Sequence, residues 1–193
     1  MDFEYLFELL CGGVVKGSIY ALIALGYTMV YGIIQLINFA HGEVYMIGAF
    51  VAFIVAGIMT LTGYSGMSVL VLAAIVAVIY AAAYGYTLEK IAYRPLRKAP
   101  RLSPLISAIG ASIFLMNYVQ LAQTPDFLPF PELVTDFEFL EPISRYMSSV
   151  DVVILAVTAV TMTALTVLIK YTRIGKAMRA TQQDQVMARL VGI

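Results

Sequence analysis

The chain has 193 residues, 61% of them hydrophobic and 12% charged, and its 12 basic and 12 acidic side chains cancel to a formal net charge of zero. So apolar a composition excludes an ordinary soluble domain and points to an all-α, polytopic membrane protein, with no nucleic-acid partner expected. The single cysteine, Cys11, excludes an internal disulfide and a cysteine metal cluster.

Residues 1–8 carry Asp2, Glu4 and Glu8 but no Lys or Arg. A cleavable signal peptide begins with basic residues, so the first apolar run reads as a retained helix. Five runs reach the roughly 20 apolar residues that hydrocarbon requires. They lie near 9–32, 40–61, 68–88, 104–122 and 150–170. The expected organisation is a membrane domain over residues 1–170, with a long outer loop at 123–149, and a cytoplasmic segment over 171–193.

The first run is patterned. Gly13, Gly17, Tyr20, Ala24, Tyr27 and Tyr31 recur at alternating spacings of four and three, which places them on one helix face. Small residues let helix backbones approach closely, so helix packing is the first reading and a pore-lining tyrosine stripe the second. Lys16 is placed to snorkel toward the outer interface.

Between the first two runs stands the stretch IQLINFAHGEVYMIG, Ile34 to Gly48, with the only histidine, His41, two residues from Glu43. Asn38 is expected to cap the second helix with its side-chain oxygen. Glu43 falls where a negative charge near a helix start is favoured. A capped polar turn accounts for Asn38. The pairing of His41 with Glu43 between two spans leaves pathway lining or gating open beside a packed polar turn. One histidine and one carboxylate are too few for a metal site.

The fourth run puts Gly110, Ile113, Asn117, Gln120 and Thr124 on one face. Amides in a membrane helix commonly hydrogen-bond to neighbouring helices, so glue is the first expectation for Asn117 and substrate contact the second. The loop that follows, TPDFLPFPELVTDFEFLEP, has four prolines and five acids and reads as surface structure. In the tail, Val186, Met187, Leu190 and Val191 form an apolar stripe, with Asp184 placed to cap and Gly192 placed to stop. A basic amphipathic helix on anionic lipid competes there with a short helix that docks into a partner.

Charge sets the orientation. Lys90, Arg94, Arg97, Lys98 and Arg101 face Glu89 alone in residues 89–103. Asp126, Glu132, Asp136, Glu138 and Glu141 face Arg145 alone in 123–149, and the tail carries Lys170, Arg173, Lys176, Arg179 and Arg189 against Asp184. Positive loops stay in the cytoplasm. The expected topology therefore has the N-terminus outside, with 89–103 and 171–193 cytoplasmic. No catalytic constellation appears: Gly175-Lys176 is followed by alanine and lacks the upstream glycine of a phosphate loop. No cofactor is expected on this chain, and any ATP use belongs to another.

Three stretches carry a resemblance. GSIYALIALGYTMVYGIIQLINFAHGEVYMIGAF (Gly17 to Phe50), TLEKIAYRPLRKAPRLSPLISAIGASIFLMNYV (Thr87 to Val119) and RIGKAMRATQQDQVMARLVGI (Arg173 to Ile193) closely resemble the LivH type of permease subunit in bacterial branched-chain amino acid ABC transporters. The NFAHGE block is shared with urea and amide permeases of the wider family, while its surroundings favour the branched-chain group. The resemblance implies a non-enzymatic inner-membrane permease for Leu, Ile and Val. Its implied partners are a second permease subunit, two ATP-binding subunits and a periplasmic substrate-binding protein. It also implies that the tail is the coupling helix, with Arg179, Ala180, Asp184, Ala188 and Gly192 on the matching motif. Tyr27, Tyr31, Asn38, His41, Glu43 and Asn117 are the candidates for the translocation pathway. Lys16 departs from the apolar residue expected there. Members of the group continue past the position of Ile193 with further spans, so the resemblance implies a fragment. The competing readings are a urea or short-amide permease, an ion-coupled secondary transporter or channel using His41 and Glu43 as a proton relay, and a membrane scaffold.

Overall fold

A computed structural model of the protein describes residues 3–34, 37–96, 99–100, 102–126, 128–134 and 147–192, without the side chains of Phe3, Ile33, Ile34, Gln185, Val186 and Arg189. Arg97, Lys98, Arg101, Asp136, Glu138, Glu141 and Arg145, used above to set orientation, lie outside the described residues, as do the side chains of Val186 and Arg189. The described residues are mainly helical, with no strand among them. Five helices are long and apolar enough to cross a membrane: α1 (Phe3–Ile34), α2 (His41–Leu61), α3 (Met67–Leu88), α4 (Leu102–Ala122) and α5 (Ser149–Tyr171). Two short helices follow, α6 (Arg173–Gln183) and α7 (Gln185–Leu190).

Two boundaries differ from expectation. α1 begins at Phe3 rather than near residue 9, taking Glu4 into its first turn, where the helix dipole favours an acid. The segment expected as a loop from residue 89 continues α3 as a π turn, Glu89–Tyr93, and a 3-10 turn, Arg94–Leu96. That continuation passes through Pro95, after which α4 starts at Leu102.

The chain divides into two units, Met1–Gln35 with Asp136–Ile193, and Leu36–Thr135. In the first, α5 and α6 both pack on α1. Ser148 caps α5, and its own N–H donates to Asp151 Oδ2 at 3.0 Å, closing a capping box. In the second, α2 and α3 form a closely packed hairpin. Gly48 lies in this seam, where a β-carbon would sit in ordinary contact, 3.6 Å from Ala81 Cβ. Ala56 and Ala73, 0% and 1% exposed, line the same seam, as small residues do where membrane helices meet. Hydroxyls inside the spans close on their own helix, Thr60 onto Ala56 O and Thr163 onto Ala159 O, at 2.8 and 2.7 Å.

The loop after α4 is not wholly surface. Leu133 is 3% exposed and packs with Ala56, Val69 and Ala73, while the Phe130 ring meets Phe53 edge-on at 6.4 Å. Leucine and phenylalanine between the prolines explain the difference: the acids set the average, but the apolar residues seek the α2–α3 seam.

Candidate functional site

The Asn38–Glu43 turn is built into the core of the second unit. Ala40 is fully buried and packs with Ile47 of α2 and Leu115 and Val119 of α4. Asn38 does not act as the helix cap expected for it. The N-cap position is Ala40, which has no side-chain cap. Asn38 lies two residues earlier, so its Oδ1 accepts the Ala40 N–H at 3.1 Å while its carbonyl accepts the His41 N–H at 3.1 Å. The same Oδ1 accepts the Tyr93 hydroxyl at 2.6 Å, tying the turn to the π turn that ends α3. One side-chain oxygen thus closes an Asx turn and anchors it to a distant helix.

Glu43, in the first turn of α2, is half-buried, and its Oε1 accepts the Ser112 hydroxyl of α4 at 3.0 Å. The carboxylate is held from both sides, by the dipole of its own helix and by Ser112. His41 is half-buried beside it. No group of three metal-ligating side chains occurs among the described residues. The arrangement can present a fixed carboxylate at the head of a membrane helix.

Of the other pathway candidates, Asn117 shares the unit of this turn but faces away from it. Asn117 stands five residues beyond Ser112, about 140° around α4. It is exposed, and its amide donates to Ile113 O of its own helix at 2.7 Å. The expected bond from Asn117 to a neighbouring helix is therefore absent among the described residues, because the backbone carbonyl four residues back is nearer. Tyr27 and Tyr31 belong to the first unit. Tyr27 is half-buried there and Tyr31 exposed, and β-carbons at Gly13 and Gly17 would meet no described atom within 4 Å. That face of α1 stays open within its unit.

The tail forms a helix–break–helix. Thr172 caps α6, its Oγ1 accepting the Gly175 N–H at 3.0 Å. Arg179 donates from Nη1 to the Ile169 carbonyl at the end of α5, where an orphan acceptor is expected. Ala180 accepts the Asp184 N–H at 3.1 Å, closing α6. Asp184 then caps α7 as anticipated, Oδ1 accepting the Met187 N–H at 3.0 Å. Gly192 follows α7 with φ +83°, the left-handed conformation expected of a helix stop. Ala188 is 4% exposed, whereas Met187, Leu190 and Val191 are 59%, 76% and 72% exposed.

Sequence reasoning missed four residues. Tyr93 and Ser112 carried no signal, because their partners lie 55 and 69 residues away. Thr172 had the hydroxyl of a cap, and Gly175 its flanking position between two helical runs. A β-carbon at Gly175 would overlap the Leu168 and Ile169 carbonyl oxygens, so only glycine lets α6 fold back this closely on α5.

Residues 9–193 match the family described as the branched-chain amino acid transport system / permease component. The chain is 47% identical over its full length to the high-affinity branched-chain amino acid transport system permease protein LivH of Salmonella typhimurium (strain LT2) and of Escherichia coli (strain K12), covering 64% of each. It is also 47% identical, over 99% of its length, to the corresponding permease protein BraD of Pseudomonas aeruginosa, covering 63% of it. The chain therefore spans a little under two thirds of the curated relatives it matches. No solved structure matches it. With the match running from α1 through the Asn38–Glu43 turn to the end of the tail, the chain belongs to the permease family of branched-chain amino acid transport systems.

Proposed function

We propose that this chain is part of a permease subunit of an ABC importer that carries Leu, Ile and Val across the bacterial inner membrane. Separate subunits bind ATP, a second permease completes the channel, and a periplasmic protein delivers substrate. The observation that carries the site is the hydrogen bond from Ser112 to Glu43, which fixes a carboxylate beside the Asn38–Glu43 turn. Glu43 and His41 line or gate the path, and the α6–α7 tail couples the bundle to the ATP-binding subunits. In the full-length permease with its partners, Glu43→Gln keeps an acceptor for Ser112 but removes the charge. ATP-dependent leucine uptake is expected to fall while the complex still assembles. Normal uptake, or lost assembly alone, would return Glu43 to a purely packing role.

The proposed orientation places the N-terminus and the α2–α3 turn outside, with the tail in the cytoplasm. In a Cys11→Ser background, Tyr64→Cys should label with an impermeant thiol reagent from outside, and Lys176→Cys only after the membrane is opened. Outside labelling of Lys176→Cys would invert the topology.

A further inference from the structure

In the second unit, α4 stops short of α2. Ser112 lies level with Glu43, yet α4 runs only ten residues beyond Ser112 while α2 runs eighteen beyond Glu43. At 1.5 Å per residue the difference is about 12 Å. The described non-helical residues after α4, 123–126 and 128–134, form a strap there, with Phe130 on Phe53 and Leu133 buried against Ala56. Irregular backbone at membrane depth is tolerated only where protein buries it or it lines a cavity. Pro125, Pro129 and Pro131 suit the place, since they bring no N–H that needs a partner.

Between this strap, α2 and α4 lies a cavity of about 350 Å³. Its floor is apolar, formed by Met46, Phe50, Phe53 and Met116, while Gln120, Thr124 and Asp126 supply polar groups from α4 and the strap. The Asp126 carboxylate is held in place: Thr124 Oγ1 donates to its Oδ2 at 3.1 Å and accepts the Asp126 N–H at 3.2 Å. An apolar floor with a few polar groups is the usual form of a small-molecule site, and the volume is sufficient for a single amino acid.

We propose that this cavity is a receiving site for an aliphatic α-amino acid: the side chain enters the Met46–Phe53 floor, the ammonium meets Asp126, and the carboxylate meets the Gln120 amide. The assignment rests on the transport reading above and deepens it. A second acid on the ligand would be repelled by Asp126, and a side-chain ammonium would lose its water against the floor, so acidic and basic amino acids are disfavoured.

The test uses the full-length permease reconstituted with its partner subunits. Ala49 also lines the cavity, so Ala49→Phe fills the floor, while Asp126→Asn removes the anion. Each is expected to raise the KM for leucine uptake by about tenfold, with the complex assembled. Met116→Cys in a Cys11→Ser background provides a readout that leaves the floor unfilled. A small methanethiosulfonate reagent should label it more slowly in the presence of leucine, and at the same rate with or without glutamate. Unchanged KM values overturn the proposal, as does labelling indifferent to leucine, the result expected if the cavity merely holds a lipid tail. If Ala49→Phe fails to assemble, Asp126→Asn and the labelling decide. Absence of ATP-dependent leucine uptake by the wild type would instead sink the transport reading. Wild-type uptake with all three probes silent would sink only this site.

Discussion

The turn at Asn38–Glu43 and the elbow at Thr172–Arg179 each lead from one membrane helix into the next element, and they are held by opposite kinds of contact. The turn depends on polar partners from afar, Tyr93 and Ser112, at sequence separations of 55 and 69. The elbow closes on itself: Thr172 caps the helix three residues on, and Arg179 reaches back ten residues to Ile169. At its centre is a steric condition, the missing β-carbon of Gly175. A polar tie fails when a partner is left unpaired, whereas a steric fit fails when an atom is added. The two regions should therefore break under different substitutions.

The largest effect is expected at the elbow. Gly175→Ala places a carbon on two backbone carbonyl oxygens that have no flexible end to move aside. Overpacking typically costs about 1–3 kcal/mol, and here, with backbone in the way, α6 can escape it only by leaving α5. The displacement is measurable within the first unit. A β-carbon at Gly32 would lie 3.4 Å from Gln182 Nε2, at the end of that side chain, so Gly32→Cys and Gln182→Cys in a Cys11→Ser background should be joined by a short bifunctional thiol reagent that spans the glutamine's length. Adding Gly175→Ala should abolish the cross-link. Full cross-linking in the triple variant would show that the elbow is not held by shape.

The turn should answer to chemistry instead. Asn38→Ala removes the acceptor of both the Tyr93 hydroxyl and the Ala40 N–H, two partly buried hydrogen bonds each worth about 0.5–1.5 kcal/mol. A fall in Tm of the purified full-length protein is expected, and Asn38→Asp, which keeps the acceptor, should restore much of it. Equal Tm values for the two variants would mean that the hydrogen bonds at Asn38 carry no stability.

The same contrast explains what could be read in advance. All five spans are legible because hydrocarbon demands long apolar runs, and each run meets that demand alone. Asp184 and Gly192 are legible for a related reason, since a cap and a stop act within four residues of themselves. Asn38 was half legible: its oxygen does accept a backbone N–H, but from Ala40 in an Asx turn rather than as the cap of α2. Tyr93 and Ser112 were hidden because a lone hydroxyl does not announce a partner two helices away. The strap was misread for another reason. Its acids dominate the composition, while Phe130 and Leu133 decide where its chain lies.

The smallest effect is expected at Asp184, where it separates the two readings of the tail. Asp184 caps α7 through Oδ1 onto the Met187 N–H, and the loss of such a cap costs about 1 kcal/mol. α7 carries Met187 and Leu190 exposed, and Val191 just beyond its end is exposed too, so an apolar surface is on offer to lipid or to a partner subunit. On anionic lipid, each cation near the surface contributes about 1 kcal/mol, and an acid opposes it. Asp184→Ala and Asp184→Asn remove the same charge, so a lipid-bound tail should respond to both alike, with binding unchanged or stronger. A docking helix needs its start held in shape. Asn keeps a side-chain oxygen for the Met187 N–H and Ala does not, so only Asp184→Ala should weaken docking. Retention of the ATP-binding subunits on purification of the full-length permease is the measurement. We expect Asp184→Asn to retain them like wild type and Asp184→Ala to lose about 1 kcal/mol of affinity, close to the cost of the cap. Identical retention in the two variants would move the tail to the membrane surface.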